Sequence, residues 1–339
     1  MLRTGPLGHF VLDTEMMIYL ANEKRYPQKV YYIASSRVGN ETLFAELAKK
    51  INILRFRRFF FFIRRLLIKA CSNYSQQIAI LENYDLSLLP KIHAEKSIFE
   101  PEDDFLEEEL HYLRENFAIT DASKVVCLAI RDSGHDLTMG MPLSEMPSFR
   151  NTPVDFFKST VEELNLQGFK VFRLGRHNVE KLKLSRDSQY WDLTELSYVN
   201  KDKLELAIAL RSQFMLSTGT GIEQIAAIFR KPILLINLAM TAMVPTQVYK
   251  RVLVSDHLKM KEEVCLKVPF EELVLNGYFS SNEFVKKIRE GKLRINPKNS
   301  EEIKNFVLAS IDFKDYGASE TLSVNSDLIT LFKRGFFVY

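Results

Sequence analysis

Short apolar runs rich in β-branched residues alternate with longer amphipathic stretches along most of the chain, the pattern of a parallel sheet covered by helices. In the first third, residues 30–34 read as a strand, 35–40 as a turn, 42–50 as a helix and 51–54 as a second strand. Residues 77–81 are apolar without a clear type. From 100 to 116 a helical repeat sets Phe105, Leu106, Leu110 and Leu113 against an acidic, solvated face of Asp103, Asp104, Glu107, Glu108 and Glu109. After Thr120 the series becomes denser: a buried strand at 125–130, a helix opened by Thr152 and Pro153 and closed by Gly168, and a strand at 170–174. A helix at 201–211, a strand at 214–216, a helix at 222–229 and a strand at 233–236 complete the unit, about half of a doubly wound sheet. The shift places a domain boundary near residue 118, dividing the chain into 1–118 and 119–339 with a helical C-terminal tail. No internal repeat and no low-complexity linker is present.

The length of 339 residues implies two domains or one large one, and 46% apolar with 26% charged residues gives enough material for a sizeable core. Lys plus Arg number 46 against 43 for Asp plus Glu, so the net charge of +3 gives no global reason to expect nucleic acid as a partner. Cys71, Cys127 and Cys265 are too few and too scattered for a disulfide framework or a zinc cluster, which fits a reducing, cytoplasmic setting. The first fifteen residues lack the basic and apolar regions of a signal peptide, and Gly5, Pro6 and Gly8 are expected to break any helix there. Apolar runs at 59–63 and 233–244 fall short of the roughly 18–20 residues of a membrane span.

The strongest local signal is the glycine- and hydroxyl-rich stretch from Ser217 through Thr218, Gly219, Thr220, Gly221 and Glu223, set between a strand and a helix. Two readings are open: a cradle in which backbone amides and hydroxyls receive a phosphate or diphosphate, or a tight structural turn. It is not a Walker loop, since no Gly-Lys-Ser/Thr follows, nor a dinucleotide fingerprint, since position 224 is Gln. Arg131, in Arg131-Asp-Ser-Gly134, stands at the carboxyl end of the 125–130 strand, and Arg173 at the end of the next one, before Gly175. Each alone reads as an ion-pair partner; together with the glycine turn they point to an anionic ligand at the carboxyl edge of the sheet.

Residues 55–69 are the most unusual in composition. On a helical wheel Arg55, Arg57, Arg58, Arg64, Arg65 and Lys69 share one half and Phe56, Phe59, Phe60, Ile63, Leu66 and Leu67 the other, with Phe61 and Phe62 standing among the arginines. The segment suits contact with an anionic lipid surface through Arg57, Arg58, Phe61, Phe62, Arg64 and Arg65, or a core helix with a basic outer face.

Gly5-Pro-Leu-Gly-His9, Arg131-Asp-Ser-Gly134, Phe149-Arg-Asn151, the run from Gly168 to Gly175 and the turn at 217–232 leading into Asn237 together resemble a bacterial family of glycosyltransferases associated with surface-polysaccharide gene clusters. The resemblance covers most of residues 5–240; the glycine-rich turn is shared more widely with heptosyltransferases and other GT-B enzymes. It implies an α/β protein of two Rossmann-like domains facing across a cleft. A nucleotide-sugar donor would be held mainly by the C-terminal domain and a saccharide or lipid-linked acceptor by the N-terminal one. Thr220, Gly221 and Glu223 would then hold the donor phosphates or ribose, and Arg131 would sit beside the diphosphate. Only four residues precede Gly5, which leaves a very short first strand or a truncated start.

An inverting transferase needs a base facing the acceptor hydroxyl, and His9, in the loop, and Asp13, at the start of the following helix, are the candidates. Asp-x-Asp occurs nowhere, in keeping with metal-independent chemistry in which arginines and helix dipoles steady the leaving diphosphate without a cofactor. No local motif supports a Ser/His/Asp or Cys/His site. A peripheral place at the inner membrane face would fit a lipid-linked acceptor. The rival readings are a nucleotide-sugar epimerase or hydrolase on the same fold, and a catalytically inactive protein that docks on membranes or partners.

Overall fold

The structure is a computed structural model that describes residues 7–22, 31–34, 38–50, 52–55, 92, 97, 99, 104–134, 151–237, 252–254, 286, 290 and 297–311. The Arg/Phe run, with Arg57, Arg58, Phe61, Phe62, Arg64 and Arg65, and the apolar stretch at 77–81 lie outside these residues.

Among the described residues the strands form two parallel sheets. Strands β1 (Tyr31–Ala34) and β2 (Asn52–Arg55) pair in parallel, Tyr31 opposite Asn52, around helix α2 (Glu41–Lys50). The larger sheet is built from β3 (Lys124–Ala129), β4 (Phe169–Arg173), β5 (Tyr190–Asp192), β6 (Phe214–Ser217), β7 (Ile233–Leu235) and β8 (Val252–Val254). Every pairing in it is parallel and its spatial order is β5-β4-β3-β6-β7-β8. Counted from its own first strand this is 3-2-1-4-5-6, the order of doubly wound nucleotide-binding sheets. The protein is an α/β protein with a Rossmann-like sheet, as its sequence pattern implied. Strands β5 and β8, three residues each, carry too short a pattern to read from sequence.

Alternation along the central strands explains the two cores. Val125, Cys127, Ala129, Met215, Ile233 and Leu235 face one side, with Leu113 of α3 (Glu107–Phe117), Leu204 and Ile208 of α5 (Lys201–Arg211) and Ile225 of α6 (Glu223–Ile228). Val126, Leu128, Phe214, Leu216 and Leu234 face the other, with Val161 and Leu164 of α4 (Lys158–Leu166) and Ile303 and Val307 of α7 (Ser300–Ile311). A parallel sheet needs cover on both faces, so its strands read as continuous apolar runs. Phe10 and Val11 of α1 (Leu7–Asn22) and Leu43 and Leu47 of α2 join the first core, which therefore runs across residue 118.

Three sequence expectations are corrected. The segment holding Gly8 and His9 is not a loop: α1 starts at Leu7 and passes through both. Gly8 costs about 1 kcal/mol against alanine in a helix, but a Cβ there would lie 3.0 Å from the Cα of Gly221 and 3.1 Å from its carbonyl oxygen. The glycine thus lets α1 lie directly on the glycine-rich turn. The helix expected from Thr152 begins as a 3-10 turn over Val154–Phe157 and becomes α-helical only at Lys158. Glu109, expected on a solvated face, is buried and accepts a hydrogen bond from the Tyr198 hydroxyl at 2.9 Å.

Candidate active site at the carboxyl edge of the sheet

The strand order reverses between β3 and β6, and the chain ties the two strand ends together there. Thr218 Oγ1 accepts from the backbone N–H of Arg131 at 2.8 Å, and Thr218 N–H donates to the Ala129 carbonyl at 3.0 Å. The Arg131 side chain is 6% exposed at this point.

The glycine-rich turn is closed by hydrogen bonds of its own. Glu223 is fully buried, and its Oε2 accepts from Ser217 Oγ at 2.9 Å, Thr220 N at 3.1 Å, Thr220 Oγ1 at 3.2 Å and Gly221 N at 2.8 Å. Gly219 N–H donates to Ser217 Oγ at 3.1 Å and Ile222 N–H to Thr220 Oγ1 at 3.1 Å. The backbone donors from 218 to 222 are thereby used within the chain. Gly219 and Gly221 are needed for shape: their φ angles are +78° and +93°. Thr220, Gly221 and Glu223, expected to hold donor phosphates or ribose, are bonded to one another within the turn.

Arg173 is also turned inward. It is fully buried; Nη2 donates to Asp132 Oδ2 at 3.0 Å, Nη1 donates to the Glu180 carbonyl, and Nη1 lies 3.5 Å from Asp192 Oδ2. Asp132 further accepts from the backbone N–H groups of Gly134, Val179 and Glu180 at 2.9, 2.9 and 3.0 Å. Gly134 has no Cβ because the backbone of His177 packs where it would stand. The Arg-Asp-Ser-Gly and Arg-Leu-Gly pieces are therefore a lock that joins the loops after β3, β4 and β5. In this lock Arg173, expected beside an anionic ligand, serves as a buried ion-pair partner.

In α1, Asp13 is fully buried and Glu15 holds Arg230 Nη1 at 2.7 Å, pinning the helix to the end of α6. Burial pushes the Glu15 carboxyl up, against the lowering effect of Arg230. His9 follows Gly8, whose backbone meets Gly221.

Beside the lock a cavity of about 610 Å³ opens at the same carboxyl edge, lined by Gly175 and Arg176 after β4, Leu193 and Thr194 after β5, and Val199 to Asp202 with Glu205 at the start of α5. Its volume lies within the usual range for small-molecule sites, about 300–1,000 Å³. Asn200 caps α5 through Lys203 N–H at 3.1 Å, and Asn40 caps α2 through Leu43 N–H at 2.8 Å. The two helix starts are joined because Asp202 Oδ2 accepts from Glu41 N–H at 3.0 Å, while its other oxygen pairs with Arg176. Glu205, 2% exposed, is held with its carboxyl pushed up to about 7, chiefly by burial and against the lowering effect of Arg176. Sequence reading missed it, although one signal was there: Leu204 to Ala209 is apolar apart from Glu205, and a helix apolar on every side is buried with whatever carboxylate it carries.

Among the described residues no group of three or more His, Cys, Asp or Glu side chains is placed to hold a metal ion, and no helix is long and apolar enough to cross a membrane.

Sheet order, switch point and edge cavity define a Rossmann-like α/β protein with a cavity at the carboxyl edge of its sheet. Among solved structures the chain is similar to an ADP-heptose lps heptosyltransferase II from E. coli, at 11% identity over 83% of this chain and 98% of that one, with a TM-score of 0.43. It is also similar to a UDP-GlcNAc 2-epimerase from Methanocaldococcus jannaschii, at 12% identity over 91% and 83%, with a TM-score of 0.32. No protein family and no curated protein matches the chain.

Proposed function

We propose that the protein is a GT-B-type glycosyltransferase that moves a sugar from a nucleoside-diphosphate donor to a saccharide or lipid-linked saccharide acceptor, without a metal. The observation that carries this reading is the cavity of about 610 Å³ at the carboxyl edge of a parallel sheet ordered 3-2-1-4-5-6, where such sheets bind their ligands. Arg176 and Lys201 at the cavity, with Arg131 at the switch point, supply positive charge for a leaving diphosphate. Thr218, Gly219, Thr220, Gly221 and Glu223 act by shaping the wall between donor and acceptor, since their donors are spent within the turn.

In the reaction the acceptor oxygen bonds to the anomeric carbon as the bond from that carbon to the diphosphate oxygen breaks. His9 takes the acceptor proton; its backbone neighbour Gly8 rests on the glycine-rich turn, whereas Asp13, one helical turn on, is enclosed. A lipid-linked acceptor would bring the Arg/Phe run at 55–69 to an anionic membrane surface, a reading supported by composition alone.

A thermal-shift screen of nucleoside diphosphates and their sugars tests the donor. A ligand at one hundred times its Kd adds about 2.7 kcal/mol to stability. A rise in melting temperature with one base, larger for diphosphate than for nucleoside, is expected; no rise with any of them contradicts the reading.

A further inference from the structure

Asp202 serves two helices and an arginine with one carboxylate. Its Oδ1 pairs with Arg176 Nη2, its Oδ2 accepts from the Glu41 N–H at 3.0 Å, and it is itself the second residue of α5. A helix N-terminus carries about half a positive charge, which a carboxylate in the first turn offsets. The starts of α2 and α5 are tied by two further contacts: Asn40 Nδ2 donates to the Asp202 carbonyl at 3.3 Å, and the Thr42 hydroxyl reaches Asn200 Oδ1 at 3.5 Å. Arg176 and Asp202 line the cavity of about 610 Å³ with side chains 38% and 20% exposed, so an occupant can touch the pair. Asp202 therefore has one oxygen toward the arginine of the cavity and the other toward α2.

We propose that Asp202 couples the filling of this cavity to the docking of α2. An anionic group that pairs with Arg176 releases Asp202 from the arginine, and Asp202 then holds the first turn of α2 more tightly. The sign follows from charge. Arg176 and the Glu41 N–H draw on the same carboxylate, and an anion that takes over Arg176 removes one of the two claims on it. The anion also repels Asp202, whose remaining positive partners are the two helix starts. Coupling is reciprocal: a chain in which α2 has left Asp202 gives that carboxylate over to Arg176 and binds the anion less well. The effect should be about two- to fivefold, because pairs of this exposure are screened by water. It gives the start of α2, which follows strand β1 of the smaller sheet, a response to the state of the cavity. The inference rests on the donor reading above only for the identity of the anion, a diphosphate.

The test is hydrogen exchange at residues 41–44 of the full chain at low salt, with and without pyrophosphate, whose binding is followed by calorimetry. The Leu43 and Phe44 N–H groups donate to the Asn40 side chain and carbonyl at 2.8 and 3.0 Å and report whether the first turn is closed. Wild type, Arg176→Gln and Asp202→Asn are compared, each first shown to be folded. Pyrophosphate is expected to slow exchange there about two- to fivefold in wild type. Arg176→Gln should bind pyrophosphate more weakly and show slowed exchange without it, since Asp202 is already released. Asp202→Asn should exchange faster and give no response to pyrophosphate.

The coupling is overturned, with the donor reading left to its own screen, by pyrophosphate that binds wild type without slowing exchange, by equal affinity for wild type and Arg176→Gln, or by a response in Asp202→Asn equal to that of wild type. Should neither pyrophosphate nor any nucleoside diphosphate bind, the donor reading falls and Arg176→Gln alone decides the coupling: slower exchange at 41–44 upholds it, and an unchanged rate overturns it.

Discussion

Glu223 Oε2 lies 2.8 Å from the backbone nitrogen of Gly221, so the glycine-rich turn is closed by a carboxylate from the first residue of the helix it introduces. An anion is already there, and the chain supplies it. Glu223→Ala leaves the N–H groups of Thr220 and Gly221 and the hydroxyl of Ser217 without that acceptor, a loss of about 1–3 kcal/mol for each donor left buried. Chemical denaturation should show a clear fall in stability, partly restored by molar sulfate occupying the emptied nest. Unchanged stability would mean that the turn does not depend on its own carboxylate.

Arg173→Ala should be more severe. It strands Asp132 and Asp192 in a fully buried network, and breaking such pairs from one side costs about 3–5 kcal/mol. The loops after β4 and β5 should lose hydrogen-exchange protection first, because Asp132 holds the N–H groups of Val179 and Glu180. A variant with native stability and native protection at 178–180 would contradict the lock.

Gly8→Val tests the seating of α1. A side chain at position 8 meets the Gly221 backbone, for which no flexible atom can give way, so α1 must lift from the turn. Faster proteolysis within 7–22, with the six-stranded sheet still folded, is expected; resistance equal to wild type would show that α1 does not need the close approach.

The Glu205 carboxyl sets a pH dependence whose sign is fixed. It is pushed up to about 7 in the folded protein from an ordinary 4.5, so between these values the folded chain holds a proton that the unfolded chain has lost. Stability therefore falls as pH rises from about 4.5 to 7, by about 3 kcal/mol, and this contribution is flat above. Glu205→Gln should remove the slope, making it the more stable protein at pH 8 in urea unfolding. Equal slopes for the two would contradict the burial of the charge.

Cys127 should be inert. Burial raises its thiol to about 12, so alkylation of the folded protein at pH 8 should spare it and alkylation in denaturant should not. Rapid modification of Cys127 in the native state would show that β3 opens readily.

Apart from the three-residue β5, the order of strands and helices from Lys124 to Leu235 was legible because central parallel strands, buried on both faces, stand out as unbroken apolar runs. Gly8 and Pro6 hid α1, since a glycine chosen for contact with Gly221 looks from sequence like one chosen to break a helix. Arg131, Arg173 and the glycine turn stand at the carboxyl edge of the sheet, where the strand ends in the sequence put them, but spacing does not reveal which way a side chain faces. Arg173 turns toward Asp132 and Asp192, residues 41 positions before it and 19 after it, and that pairing exists only once three strands are side by side. Glu205 and Asn40 come together across 165 positions, beyond any local motif.

The central claim, transfer of a sugar from a nucleoside diphosphate, is met most directly by mass analysis of products after incubation with the donor that raises the melting temperature, with and without a saccharide acceptor. The account expects donor consumption that depends on the acceptor, release of the nucleoside diphosphate and an acceptor heavier by one sugar residue. Donor converted equally well with no acceptor, to an epimer or a free sugar, or donor left intact beside every acceptor tried, would contradict it.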